Sequence, residues 1–205
     1  MLDRKPGAES SKATRCRFSS IDLTNLEDDD LVVKIEAAKR LAASKTAFAP
    51  LRDLLKLSTS IETRFAIVFA LSWQNDLRVW KTLISLLRDE HESPRVRAQA
   101  AEGLANMFHR KRKGTTGFNA ALVVLTNALK DVSSEVRYFA AFALGASRDP
   151  SVVPALRRLR HDQATSEAYV GTVGDEVSTA IADILASTKA GHPRLRKGLG
   201  TQASD

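Results

Sequence analysis

From residue 30 onward, apolar and small residues return at helical spacing in five related stretches. Each opens with an apolar residue or threonine, here position zero: Val33, Thr63, Val96, Val136 and Val177. Position +4 is Ala37, Ile67, Ala100, Ala140 and Ile181, and position +5 is Ala38, Val68, Ala101, Ala141 and Ala182. Position +8 is Leu41, Leu71, Leu104, Leu144 and Leu185. At 100° per residue these positions share one arc, which is the expected buried face of a helix. Three residues before zero stand Asp30, Ser60, Ser93, Ser133 and Gly174. Asp and Ser there are good N-caps, because a side-chain oxygen accepts from a free amide of the first turn.

A second kind of helix is predicted between these, over Ala47–Leu57, Leu77–Arg88, Gly117–Lys130 and Ser151–Arg160. Each carries Leu, Val or Trp at helical spacing, and Pro50 and Pro154 fall in first turns, where proline is tolerated. Trp80, spaced with Leu83, Leu86 and Leu87, reads as core. No period-two alternation separates the helices. The zero positions lie 30, 33, 40 and 41 residues apart. Recurrence at this period marks a repeat architecture, with the extra residues placed in edge loops at 109–116 and near Asp162–Gly174. The fold class expected is all-α, a short solenoid of about five helical hairpins. Residues 1–20 are expected to form a disordered basic arm, 21–186 the solenoid, and 187–205 a disordered basic tail. Within this frame, Phe18, Ile21, Leu23 and Leu26 offer a short helix that caps the first repeat.

Charge changes the picture only once it is located. The chain of 205 residues carries +7. The arm has five basic and two acidic residues and the tail four and one, so each holds +3. The body has 22 basic and 21 acidic residues, and its one basic run is His109-Arg-Lys-Arg-Lys113. Arg110, Lys111, Arg112 and Lys113 are therefore candidate contacts for phosphate or an acidic surface, or simply a solvated loop. The longest apolar run, Phe65 to Trp73, is far short of the ~20 residues a membrane helix needs, so no membrane partner is expected. The first 20 residues lack the apolar core of a secretory signal. A single cysteine, Cys16, suits a reducing compartment, and a cytoplasmic protein is expected.

Position +1 is Lys34, Arg64, Arg97 and Arg137, with Ser178 ending the series. A basic ladder could face an anionic ligand. Its phase, at about 100°, lies inside the buried arc, which favours a structural ladder with acceptors between packed helices. Asp89, Asp131 and Asp162, at the ends of the intervening helices, are the expected acceptors for repeats 3 to 5. Function in a repeat stack is sought instead where repeats differ. Positions +2, +6 and +10 should face outward: Ile35 and Lys39 in the first repeat, Ala98 and Glu102 in the third. The second repeat has Phe65, Phe69 and Trp73 there, and the fourth has Tyr138 and Phe142 with Phe139 alongside. Helix 61–73 is thus apolar on nearly every face and must be covered, either by the chain itself or by a partner anchored on the aromatics.

The run Glu135-Val-Arg-Tyr-Phe-Ala-Ala-Phe-Ala-Leu-Gly145, followed by Asp149-Pro-Ser-Val-Val-Pro-Ala-Leu156, resembles the HEAT-like repeat of the phycobilisome-lyase type, in the armadillo-like superfamily. Gly174-Asp-Glu-Val177 and Ser93-Pro-Arg-Val-Arg97 match the same pattern. The resemblance covers about residues 30–186 and implies stacked antiparallel helix pairs in a curved rod, with the marked helices on the concave side. Proteins of this build include scaffolds, bilin lyases, a DNA glycosylase group and a di-iron hydroxylase. A hydroxylase needs several His-Glu pairs, and here only His91-Glu92 exists, ahead of its helix. His109, His161 and His192 are scattered, with no HExxH motif or Cys/His cluster, so no metal or cofactor is expected. Trp73, Asp76 and Trp80 would supply the groups of a glycosylase-like nucleic-acid binder, which the near-neutral body disfavours. A bilin-handling role follows from the resemblance alone, and its matching residues are those of the fold. The expected function is a non-catalytic scaffold that binds a protein partner.

Overall fold

The structure, a computed structural model, describes residues 19–74 and 76–190. These form ten helices and no strand: α1 (Ser20–Thr24), α2 (Leu31–Ala42), α3 (Phe48–Leu57), α4 (Ile61–Trp73), α5 (Trp80–Arg88), α6 (Pro94–Met107), α7 (Thr116–Ala128), α8 (Ser134–Ser147), α9 (Val153–Leu156) and α10 (Val173–Ala190). Apart from Ser19, Ser20 and the end of α10, the arm over 1–20 and the tail over 187–205 lie outside the described residues, as do Cys16 and Phe18. No described helix is long and apolar enough to cross a membrane.

The five marked helices, α2, α4, α6, α8 and α10, pack side by side in sequence as one layer. Helices α3, α5, α7 and α9 form the second layer, each against its marked partner. Within that second layer α5 meets α7, whereas α3 with α5 and α7 with α9 make little direct contact. Small residues explain the closeness of the first layer. The alanines at +4 and +5 of the first, third and fourth repeats are buried. At Gly145 a Cβ atom would stand 2.9 Å from Ala180 Cβ, so α10 crosses α8 where no side chain intervenes. Asp30, Ser60 and Ser93 cap their helices by accepting from Val32, Thr63 and Val96 amides. Ser133 makes no such side-chain bond, and its own amide donates to Asp131 Oδ1 at 2.9 Å.

The ends of the stack depart from the repeat pattern. At the N-terminal end, Leu26 is fully buried and Asp22 of α1 accepts from Arg40 Nε at 2.6 Å, which seats α1 on α2. At the C-terminal end Gly174 lies inside α10, and Thr172 caps the helix, its hydroxyl accepting from the Asp175 amide at 3.1 Å. A Cβ at Gly174 would lie 2.8 Å from the Arg160 carbonyl oxygen, so this glycine is needed for close backbone approach. Leu185 and Ala182 are exposed, Leu185 at 41 %, whereas Val173, Val177, Ala180 and Ile184 are buried. Helix α10 packs on α8 and on the short α9 region, and no described helix follows to cover its second side. The second-layer helices are also shorter than predicted: 3-10 turns occupy 45–47, 77–79, 150–152 and 157–159.

Candidate partner-binding face

The +1 residues fix which face of the marked layer remains open. Lys34 is buried and donates to Thr63 Oγ1 at 2.9 Å. Arg64 pairs with Glu92 and donates to the carbonyls of Leu55 at 2.7 Å and Ser58 at 2.9 Å. Arg97 meets Asp131 in a two-pronged pair at 2.6 and 3.3 Å. Arg137 meets Asp162 at 2.8 Å and the carbonyls of Asp131 and Val132. Each of the four side chains makes at least one contact that crosses to the following repeat, while the carbonyl contacts of Arg64 and Arg137 fall back on the chain ahead of their own helices. The acceptors expected for repeats 3 to 5 lie one repeat out of step: Asp131 takes Arg97 of the third and Asp162 takes Arg137 of the fourth, Asp89 accepts from the His91 amide, and Arg64 of the second repeat is met by Glu92, which projects from the loop ahead of α6. These four side chains point between helices. Burial raises the Asp162 carboxyl pKa, but hydrogen bonds from Arg137 and the Ala164 amide, with the Arg137 charge, outweigh it and hold the group below its ordinary value. A carboxylate so shifted stabilises the fold fully above the ordinary value of about 3.9, and that contribution is lost as pH falls through the lowered one. Thermal unfolding of wild type and Asp162→Asn is therefore expected to differ near neutral pH and to converge as the pH falls through the lowered value.

The open face of the marked layer carries the aromatic residues. On α4, Phe65 and Phe69 are half-buried and Trp73 is 52 % exposed. The Phe69 and Trp73 rings lie 6.0 Å apart, and the Arg95 guanidinium of α6 sits over Phe65 at 4.3 Å. On α8, Phe142 is 39 % exposed, while Tyr138 stacks on Tyr169 at 3.8 Å and edges against Phe139 at 5.4 Å. The chain thus covers part of this surface itself, with Arg95 on one side and Tyr169 on the other. Trp73 and Phe142 stay open. Between α4 and α8 runs α6, whose Ala98 and Ala105 are buried. Ala98 was expected to face outward; a methyl group flanked by helices that carry rings is too short to reach solvent. The result is two aromatic walls over a low floor.

Carboxylates interleave with the rings. Glu62, Glu135 and Glu176 occupy the position before zero, and Glu102 and Asp183 position +6. Burial lifts the Glu135 carboxyl above its usual range despite the Arg95 charge. Burial also lifts Glu176, with Asp183 adding to it against a hydrogen bond from Tyr138. The Tyr138 phenol is pushed up to about 12, first by burial and then by the Glu176 charge.

The basic run lies elsewhere, at the edge of the stack. Phe108–Arg110 is a 3-10 turn, and a cleft of about 700 Å³ opens beside it, lined among others by His109, Lys111, Lys113, Arg148 and Asp183. Lys111 Nζ stands 5.0 Å from the Trp80 ring centre and Lys113 Nζ donates to the Arg148 carbonyl at 2.7 Å, while Arg112 is exposed. The glycosylase-like trio is not assembled. Trp80 is buried with its Nε1 donating to the Gly117 carbonyl, and Asp76 pairs with Arg78. No group of three or more His, Cys, Asp or Glu with metal-binding geometry exists among the described residues. Arg95, Tyr169 and the carboxylates were not singled out from the sequence. The recurrence of Glu before zero was visible there, whereas Tyr169 sits in a loop without periodicity.

A family described as HEAT repeats matches residues 22–105 and again residues 81–170. No curated protein matches the chain.

Proposed function

Because the chain belongs to the HEAT repeat family, we propose that it is a non-catalytic scaffold that seats a protein partner on the concave face of its stack. The observation that carries this reading is the pair of open rings, Trp73 and Phe142, on the two helices that flank α6. Large rings left in water on opposite walls of one trough are the kind of anchor that dominates binding energy. The closer packing of the marked layer supports a curve toward that side, since close helices on one face and wider ones on the other bend a stack. The test uses the most exposed rings, so that folding is preserved. Trp73→Ser with Phe142→Ser is expected to abolish capture of protein partners from cells of the source organism, with the helical circular dichroism unchanged. Retention of the same partners by the double variant would show that this face is not the binding surface.

A further inference from the structure

Resting on that reading, we infer that the partner presents a cationic segment, rich in Lys or Arg with apolar residues between them, which lies along α6 between the aromatic walls. Charge on the face carries the inference. From α4 to α10 it bears Glu62, Glu102, Glu135, Glu176 and Asp183, the last also bordering the basic cleft with Lys111, Lys113 and Arg148, and among the described residues Arg95 is the one cation at the −1, +2 and +6 positions of these helices. Arg95 is already turned onto Phe65, where its charge acts on Glu62 and Glu135. The face therefore holds a formal excess of four negative charges (five minus one) on a chain whose total is +7. Elsewhere in the described stack the carboxylates Asp22, Glu92, Asp131 and Asp162 each have an arginine.

None of these five makes an ion pair among the described contacts. Glu102 accepts from Gln99 at 2.7 Å and Glu62 from Ser60 at 3.2 Å, both neutral partners. Carboxylates crowded on one surface without cations repel one another, and a cationic ligand relieves that repulsion as it binds. The rings between them add faces for the same ammonium or guanidinium groups and for apolar side chains. Geometry agrees. α4 and α8 are separated by α6, so the walls stand about 16–20 Å apart, which admits one extended or helical segment. Phosphate-bearing ligands are repelled by the same charges.

The test titrates the full chain with a Lys/Leu amphipathic peptide and, in parallel, with a Glu/Leu peptide of equal length, following tryptophan emission. The Lys/Leu peptide is expected to bind and to perturb the emission through Trp73, and added salt is expected to weaken it. E62Q with E102Q and D183N, near-isosteric changes checked by circular dichroism, is expected to lower its affinity on the order of tenfold or more. E90Q with D53N, exposed carboxylates on the loop ahead of α6 and on the second-layer helix α3, is expected to leave it unchanged. Equal binding of the Glu/Leu peptide, no binding of either, or undiminished affinity of the triple variant would overturn the inference. Binding that appears only after Arg194, Arg196 and Lys197 are changed to Gln would identify the chain's own basic tail as the occupant, which also overturns a separate partner. Loss of captured proteins on changing Trp73 and Phe142, without loss on changing the three carboxylates, would leave the scaffold standing and remove only the cationic class.

Discussion

Arg97→Ala is expected to destabilise the chain by about 3–5 kcal/mol, measured as the shift in denaturant unfolding free energy. Arg97 and Asp131 are both nearly buried, and their side chains meet through two hydrogen bonds. Removing the guanidinium leaves the Asp131 carboxylate shielded from water with no cation, and that uncompensated charge is the main cost. The double variant Arg97→Ala with Asp131→Asn should recover part of the loss. The asparagine oxygen still accepts from the Ser133 amide, as Asp131 Oδ1 does at 2.9 Å, while the stranded charge is gone. A loss within about 0.5 kcal/mol for Arg97→Ala, the range of an ordinary surface change, would contradict a structural role for this rung.

The second large effect is expected at Trp80→Ala, about 3–5 kcal/mol, the range for deleting a buried aromatic side chain. Trp80 is one of the largest fully buried side chains. Its ring meets Phe108 edge-on at 5.2 Å, and Phe108 meets Phe118 in the same way at 5.2 Å. The indole N–H also holds the Gly117 carbonyl at 2.8 Å, and Lys111 lies over the ring. Trp80 thus ties α5 to both ends of the basic loop. Trp80→Phe keeps most of the packing and drops the hydrogen bond, so it should cost much less, about 1–2 kcal/mol including the lost volume. Limited proteolysis should then cut within 109–116 faster in the alanine variant than in the phenylalanine one. Equal stability of the two would show that packing at this site is not what holds the loop.

The fold was legible because a repeat states its pattern several times. A single apolar arc could mislead, but Ala100, Ala101 and Leu104 returning as Ala140, Ala141 and Leu144 leave one reading, and all six are buried. The last repeat was misread for the same reason. Position +8 is buried only where a neighbour stands on each side, and Leu185, on a helix with no described successor, is exposed. The aromatic residues were found by asking where repeats differ. Their burial was not legible, because it depends on side chains arriving from elsewhere. Arg95 comes from the adjacent helix to cover Phe65, and Tyr169 from an irregular loop to cover Tyr138. The acceptors of the rungs were placed one repeat out of step, with none named for Arg64, since a loop residue's direction is set by its turn and not by a period.

The rungs at position +1 also bear on how the molecule yields to force. Every rung joins one repeat to the next: Lys34 to Thr63, Arg64 to Glu92, Arg97 to Asp131 and Arg137 to Asp162. None spans two repeats, so tension applied at the two ends passes through them in series. Extension by force is therefore expected to proceed in separate steps, one repeat at a time, because each repeat contacts only its neighbours. Judged by the rungs alone, the first to part is expected to be the one nearest the N-terminus, where Lys34 meets a hydroxyl and the other three meet a carboxylate.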